Sequence, residues 1–512
     1  MTDKNGSVSL LTAIAFTASV WHVLTLIGKK SKGDEQEDGN ITKAQHNADE
    51  SIHWDKNTIQ SIRAKHTCSN VTISYSNTGG LMIMGGLGSR LFDHSGQAYL
   101  DTRNNVCHVG HQHPKVIKAI QNQVETLNTN TRYLHPNMTL LAQRIANLLP
   151  DPLQIVFFVN SGSEANDLAL RLARAYSGGC KNTIVIDRAY HGHTIAVTEV
   201  SPYKYEATRE IKLVSNGPSL TPGSHIWKVP CPDVYRGLHQ DINTAGVLYA
   251  NYVEEACRIY KEERGENVSA WIVESGMSVA GVILPPPAYL PTAVSHVRNA
   301  GGLYIADEVQ TGFGRFGECF WGFQYQNDII PDIVTMAKPM GNGMPLAAVV
   351  TTRKVASAFE AYAPEYFNTF GGNPVSAAAG LAVLDVIESE CLQSNAKEVG
   401  DYLKSKFLSL KERLSIIGDV RGCGLFLGIE LIRDPQTKEP APEETSFLCT
   451  ILKEKYYILT SIDGPHDNVI VIKPPLVFSK SDADEFIHSF ELAVTKDLAM
   501  TSNVATMKRT PT

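Results

Sequence analysis

Two short apolar runs end on residues that can do proton and amine chemistry. Leu303-Tyr304-Ile305-Ala306 leads into Asp307-Glu308-Val309-Gln310-Thr311-Gly312-Phe313-Gly314-Arg315, and Ile333-Val334-Thr335-Met336-Ala337 ends on Lys338, followed by Pro339-Met340-Gly341-Asn342-Gly343. Both runs read as buried strands, and the carboxyl ends of neighbouring strands are where an α/β sheet binds its ligands. A carboxylate and a lysine delivered to that edge make a cofactor address.

The cofactor such a pair suits is pyridoxal phosphate. A lysine amine forms a Schiff base with its aldehyde, and a carboxylate holds a proton on the pyridine nitrogen, so that the ring draws electrons from the carbon beside the substrate nitrogen. Lys338 must be partly deprotonated to act, which an apolar setting beside another cation favours. As isolated residues, the two would more often be an ordinary salt bridge.

The neighbouring stretches supply what the pair lacks. Gln154 to Val159 is an apolar run fit for a buried strand, followed by Asn160-Ser161-Gly162-Ser163-Glu164-Ala165-Asn166. Ser161 and Glu164 fit a capping box, and Leu168, Leu172 and Ala175 continue one helical face. Free amides at such a helix start hold phosphates, although an ordinary capped helix has the same pattern. The strand Thr183 to Ile186 precedes Tyr190-His191-Gly192-His193, where a flat aromatic could stack on a pyridine ring, and Ala270 to Val273 leads to Glu274. His113-Pro114 opens a helix with Val116, Ile117, Ile120, Val124 and Leu127 at helical spacing. His108, His111 and His113 lack a further carboxylate or cysteine ligand, so no metal site is expected. Gly312 to Gly317 matches G-x-G-x-x-G, but no long amphipathic helix follows, which argues against a dinucleotide site.

Asp307 to Arg315, Lys338 to Gly343 and Asn368-Thr369-Phe370-Gly371-Gly372-Asn373-Pro374 together resemble the signature of the class III, fold type I pyridoxal-phosphate aminotransferases, over about residues 60 to 495. Arg103 to His111, Asn128 to His135 and Cys231 to Gly237 resemble the branch that holds ethanolamine-phosphate and 5-phosphohydroxylysine phospho-lyases, also called alanine-glyoxylate aminotransferase 2-like. The resemblance implies an α/β fold, with a large mixed, mainly parallel sheet domain and a smaller α+β domain. It divides the chain into 56–105 as the amino-terminal segment of the small domain, 106–375 as the large cofactor-binding domain and 376–499 as the carboxyl-terminal small domain. By the same resemblance Gly162 and Ser163 bind the cofactor phosphate, Tyr190 stacks on the ring, Gln310 touches the ring hydroxyl and Glu274 lies on the substrate side. Thr369 reaches the cofactor phosphate of a neighbouring subunit, which implies a homodimer.

Relatives acting on α-amino acids carry an arginine three residues before a Pro-Pro; here, before Pro474-Pro475, that position is Val471, with Lys473 beside the prolines. The phospho-lyase branch tends to have lysine at the Val471 position and histidine where this chain has Met344, so the chain departs from that pattern at both positions. The leading expectation is a phospho-lyase: Lys338 removes the proton beside the substrate nitrogen, phosphate leaves the next carbon, and aldehyde and ammonia follow. Arg132, Arg236 and Lys473 are assigned to the substrate phosphate from likeness and charge alone. A true transaminase using a keto acid, and a silent scaffold, are the alternatives; phosphoethanolamine and phosphohydroxylysine both stay open as substrates.

With 512 residues, 43% of them hydrophobic, the chain can bury one large and one smaller core, and a net charge of -7 gives no support to a nucleic-acid partner. Nine scattered cysteines signal neither a zinc site nor a disulfide framework. Val8 to Ile27 is apolar or weakly polar except for His22, and about 20 such residues span a bilayer core. With Lys29, Lys30 and Lys32 following, residues 1–30 read as a membrane anchor through 8–27 that leaves the catalytic body in the cytosol. A divergent mitochondrial presequence and an amphipathic surface helix compete with that reading. Residues 31–55 read as a disordered linker and 500–512 as a disordered tail.

Overall fold

The structure, a computed structural model, describes residues 55–203, 223–325, 329–363 and 365–500. The chain falls into two compact units, one ending at Gly85 and including Phe92–Ala98, the other comprising Gly86–Leu91 and everything from Tyr99 onward. In the first, a helix over Lys56–His66 starts at Asp55, whose carboxylate accepts the Thr58 amide at 2.8 Å. Lys56 and Gln60 on that helix donate to the Gly80 and Gly79 carbonyls.

The second unit is built on a seven-stranded sheet: β1 (Leu153–Val159), β2 (Thr183–Ile186), β3 (Ile226–Val229), β4 (Ala270–Glu274), β5 (Leu303–Asp307), β6 (Ile333–Met336) and β7 (Ala347–Thr352). Their order across the sheet is β1-β7-β6-β5-β4-β2-β3. β7 runs antiparallel to β1 and β6, and the other pairings are parallel, so the sheet is mixed and mainly parallel, as the resemblance implies. Every residue of β2, β4, β5 and β6 is buried, which is why these segments are continuously apolar rather than alternating. Alternate side chains still go to opposite faces: Ala270 and Ile272 of β4 join one core cluster, Trp271 and Val273 the other.

The parallel register positions the chemistry. Glu274 pairs with Asp307, and Asp307 with Thr335, so the ends of β4, β5 and β6 lie in one row. Lys338 follows two residues after β6 and opens a short 3-10 turn over Lys338–Gly341. α1 (Gly162–Tyr176) packs one apolar face into the core through Leu168, Leu172 and Ala173. α2 (Pro374–Ser389) starts at Asn373, whose side chain caps the Ser376 amide, and buries Ala377, Val383, Leu384 and Ile387, while Leu381 is half-buried.

Beyond α2, β8 (Ile417–Cys423), β9 (Phe426–Asp434), β10 (Ser461–Asp463) and β11 (Val469–Ile472) form an antiparallel sheet in the order β8-β9-β11-β10. Its strands at Phe426–Asp434 and Val469–Ile472 are those expected around 424–431 and 469–472.

The expectation of a membrane-anchored enzyme is corrected. No helix among the described residues is long and apolar enough to cross a membrane. The longest of them, Leu392–Lys411, carries Lys397, Glu398, Asp401, Lys404 and Lys406 along its length, charges that a bilayer core would not accept. The stretch 8–27 lies outside the described residues, as do 31–54 of the linker 31–55 and the tail from 501, so the anchored placement with its cytosolic body finds no supporting span.

Candidate active site

A cleft of about 410 Å³ opens at the carboxyl ends of β4, β5 and β6. Among the residues singled out from sequence, Gly162, Ser163, Tyr190, Glu274, Asp307, Gln310 and Lys338 line it, together with Met344. Parallel strands converge there because their register delivers Glu274 and Asp307 side by side.

Asp307 is 4% exposed and held by three donors. Its Oδ2 accepts from Asn166 Nδ2 and His191 Nδ1, both at 2.8 Å, and its Oδ1 from the Val309 amide at 3.0 Å. A nitrogen that faces a carboxylate carries the proton, so His191 is the Nδ1–H tautomer in its neutral form. Asn166 also donates to the His191 carbonyl at 2.7 Å and accepts from Thr335 Oγ1 at 2.7 Å, joining α1 to β6. Sequence reasoning missed both. His191 sat unexamined beside Tyr190, and Asn166 had a detectable signal: it is a polar residue on the helix stripe shared with Leu170 and Ala173.

Burial lowers the pKa of the Lys338 amine below the ordinary lysine value, with the carboxylates of Asp307, Glu274 and Asp463 pulling the other way. The same poor solvation raises Glu274 to about 7, opposed by His191 and by the amides of Tyr190 and Ser278, which donate to it at 3.1 and 3.2 Å. A lysine held below its ordinary pKa and a carboxyl raised to about 7 thus share one cleft, an arrangement suited to proton transfer.

The start of α1 also lines the cleft. Ser161 Oγ accepts the Glu164 amide at 3.2 Å, the first half of the expected capping box. The second half differs: the Glu164 carboxylate accepts the Asn160 amide at 3.0 Å and the side-chain amides of Asn160 and Asn368, at 2.9 and 3.0 Å. It therefore fastens the 368–373 loop to the helix start instead of closing back on Ser161. The Ser161 side chain and carbonyl occupy the Glu164 and Ala165 amides. Among the described residues, no acceptor pairs with those of Gly162 and Ser163. Gly192, at φ 137°, abuts them; a Cβ there would lie 2.5 Å from Ser163 Oγ. Two free amides at a helix start beside a glycine cradle, with a lysine and a fixed carboxylate lining the same cleft, fit pyridoxal 5′-phosphate.

The remaining candidates lie elsewhere. Thr369 is exposed on its loop and does not line this cleft. Arg132 pairs with Glu365 at 2.9 Å and lies over the Phe367 ring. Arg236 is paired with Glu430 and donates to the Lys438 carbonyl at 2.6 Å. Lys473, 7% exposed, lies one layer behind the lining and donates to Gln310 Oε1 at 3.2 Å. Val471 is buried in an apolar cluster with Val282, Phe316 and Phe426. The three histidines face different partners: His108 the Phe313 carbonyl, His111 Asp101, and His113 Glu390.

Glu308, next to Asp307, is fully buried and accepts from Ser275 Oγ, the Phe323 amide, Thr311 Oγ1 and the Gly322 amide, at 2.5 to 2.8 Å. It ties the 322–323 turn to the strand end that carries Asp307. Glu308→Ala leaves the two amides with no acceptor, and a loss of about 3–5 kcal/mol is expected. The readout is the unfolding midpoint of the holoenzyme, which must fall; an unmoved midpoint removes the anchoring role.

The family described as "Aminotransferase class-III" matches residues 74–494. The chain is 47% identical over 420 residues to a Drosophila melanogaster protein called alanine-glyoxylate aminotransferase 2-like, covering 81% of this chain and 82% of the relative. It is 41% identical over 415 residues to ethanolamine-phosphate phospho-lyase homolog 1 of Caenorhabditis elegans, covering 79% and 86%. Among solved structures it is similar to a phospholyase from Arthrobacter in complex with phosphoethanolamine, with a TM-score of 0.78 and 37% identity over 86% of this chain and 99% of that one.

Proposed function

The chain belongs to the class-III aminotransferase family and its cofactor is pyridoxal 5′-phosphate; from that premise we propose that it is a phospho-lyase, which eliminates phosphate from an amine substrate to yield aldehyde, ammonia and phosphate. The observation that carries the reading is the likeness to the Arthrobacter phospholyase described above, with Val471 weighing against the main alternative. Where relatives acting on α-amino acids place a carboxylate-binding arginine, this chain buries an apolar side chain among Val282, Phe316 and Phe426. A valine cannot pair with a carboxylate, which weighs against the transaminases of α-amino acids. The names of two of the relatives described above support the same chemistry.

Bound, the cofactor supplies an electron sink beside the substrate nitrogen. The Gly162 and Ser163 amides hold its phosphate, Asp307 holds a proton on its ring nitrogen, Gln310 faces its ring hydroxyl, and Tyr190 lies against the ring. Lys338 Nζ takes the proton from the carbon beside the substrate nitrogen. Glu274, titrating near neutrality, lies on the substrate side. Lys473 adds positive charge one layer behind the lining, which favours an anionic substrate. The proposal includes a homodimer in which Thr369 of each subunit reaches the cofactor phosphate in the other. An exposed apolar surface at Tyr133, Leu134, Phe367 and Phe370 around that loop supports it.

The test is phosphate release from phosphoethanolamine by the holoenzyme, with and without pyruvate or glyoxylate. Phosphate and acetaldehyde in equal amounts without a keto acid are expected. Turnover only when a keto acid is present, with no phosphate, would make the enzyme a transaminase.

A further inference from the structure

Lys473 stands at the end of β11, and its surroundings leave its ammonium little freedom. Its backbone amide donates to the Thr102 carbonyl at 2.7 Å, and the carbonyl of the next residue, Pro474, is held by the buried Arg315. Its Nζ donates to Ser278 Oγ at 2.6 Å and to Gln310 Oε1 at 3.2 Å, and faces the Asp463 carboxylate at 3.8 Å. An ammonium has three donors and no acceptor. Two of its N–H groups are therefore hydrogen-bonded inside the protein, and the ammonium is held toward Asp463 rather than toward the cleft.

Gln310 is the partner that reaches the cleft. Its Oε1 also accepts from Asn105 Nδ2 at 2.7 Å, and a carboxamide oxygen has two lone pairs. Reversing the amide would set its NH2 against an ammonium and a second NH2, so the orientation is dictated by the partners.

We infer that Lys473 is a positioning residue for Gln310: with Asn105 it occupies the Gln310 carboxamide oxygen and turns the amide nitrogen, with its two hydrogens, toward the cleft. Gln310 then presents a donor to the ring hydroxyl oxygen and favours that oxygen as an anion. This rests on the placement of Gln310 at the ring hydroxyl proposed above. The charges that face Lys473 are Asp463 and Glu274, which sustain its ammonium, and Lys338 and Arg315, which oppose it. Ser278 extends the linkage to Glu274, to which its amide donates at 3.2 Å.

The experiment is a pH titration of the visible absorption of the bound cofactor in the holoenzyme without substrate, for Lys473→Met and Gln310→Glu. A donor to the ring oxygen stabilises the deprotonated form, so loss of its orientation in Lys473→Met raises the midpoint, by about one pH unit for a tenfold change in the equilibrium. Gln310→Glu, with two acceptor oxygens and no amide donor, shifts it the same way by at least as much. If Gln310→Glu moves the midpoint and Lys473→Met does not, Lys473 does not orient the amide and the inference is overturned. An unmoved midpoint together with weaker inhibition by inorganic phosphate in Lys473→Met would instead make it a phosphate ligand. If neither variant shifts the midpoint, the placement of Gln310 fails and the inference with it. Should Lys473→Met not accumulate as folded holoenzyme, Lys473→Leu removes the same donor with a smaller apolar side chain, and an unmoved midpoint there overturns the inference equally.

Discussion

Lys338→Ala yields a folded protein that binds pyridoxal 5′-phosphate without holding it covalently, and its turnover falls by about 10³-fold or more. In the role proposed above the side chain is both the nucleophile for the cofactor aldehyde and the base for the substrate proton, and general base catalysis alone contributes about 10²–10⁴-fold. Folding is spared for a visible reason. Among the described residues the Lys338 ammonium makes no hydrogen bond or ion pair, so truncation leaves no partner unsatisfied. Borohydride reduction followed by denaturation and mass measurement reads the attachment directly: the wild-type chain keeps the cofactor mass and the variant loses it. Retention in the variant would assign the attachment to another lysine. The pH dependence has a definite sign. Because burial depresses the Lys338 pKa, its neutral amine is present at lower pH than in an exposed lysine. Covalent attachment to the apoenzyme should therefore rise with pH, with a midpoint below the ordinary 10.5.

What could be read from the sequence was whatever has a short-range cause. The strands ending in Asp307 and Lys338 were legible because burial on both faces demands uninterrupted apolar runs, and those runs stop where the cleft begins. The capped start of α1 was legible because Ser161 and its helix are local. Contacts closed by the fold were not. Glu164 fits a capping box, yet its carboxylate spans to Asn368, a partner 204 residues away. Arg236 carries the right charge for a phosphate, but it is consumed by Glu430, from a strand of the other sheet. Lys473 was singled out for its charge and its place before Pro474-Pro475, while the use the fold makes of it depends on Ser278, Gln310 and Asp463, from three separate segments. Periodicity also overstated burial. In the helix Pro114–Thr126 the expected apolar row is present, but only Val116 is buried, with Ile117 and Val124 exposed. A row of that kind belongs to a surface awaiting cover as readily as to a core.

Asp307→Asn is expected to be nearly as damaging to turnover as the loss of the lysine, for a reason that geometry makes specific. The carboxylate accepts on both oxygens: Oδ1 from the Val309 amide, Oδ2 from Asn166 and His191. An asparagine has one acceptor oxygen. Whichever way its amide turns, an NH2 group meets a donor, either the backbone amide on one side or the pair of side chains on the other. The substituted residue can hold no negative charge against the ring nitrogen, so the proton there is lost and the rate falls by about 10²–10⁴-fold. Cofactor affinity should suffer less. In the proposed site the phosphate is held at the start of α1, and losing one charge-assisted hydrogen bond of about 1.5–3 kcal/mol weakens binding roughly 10- to 100-fold. That split between turnover and affinity distinguishes the roles: equal losses in both would mean that Asp307 only shapes the pocket, and an unchanged rate would remove it from the ring nitrogen altogether. Asp307→Glu sharpens the comparison. It keeps the charge but moves the carboxylate by one methylene in a site where Asn166 and His191 are themselves fixed, so restoring the charge without the position should not restore the rate.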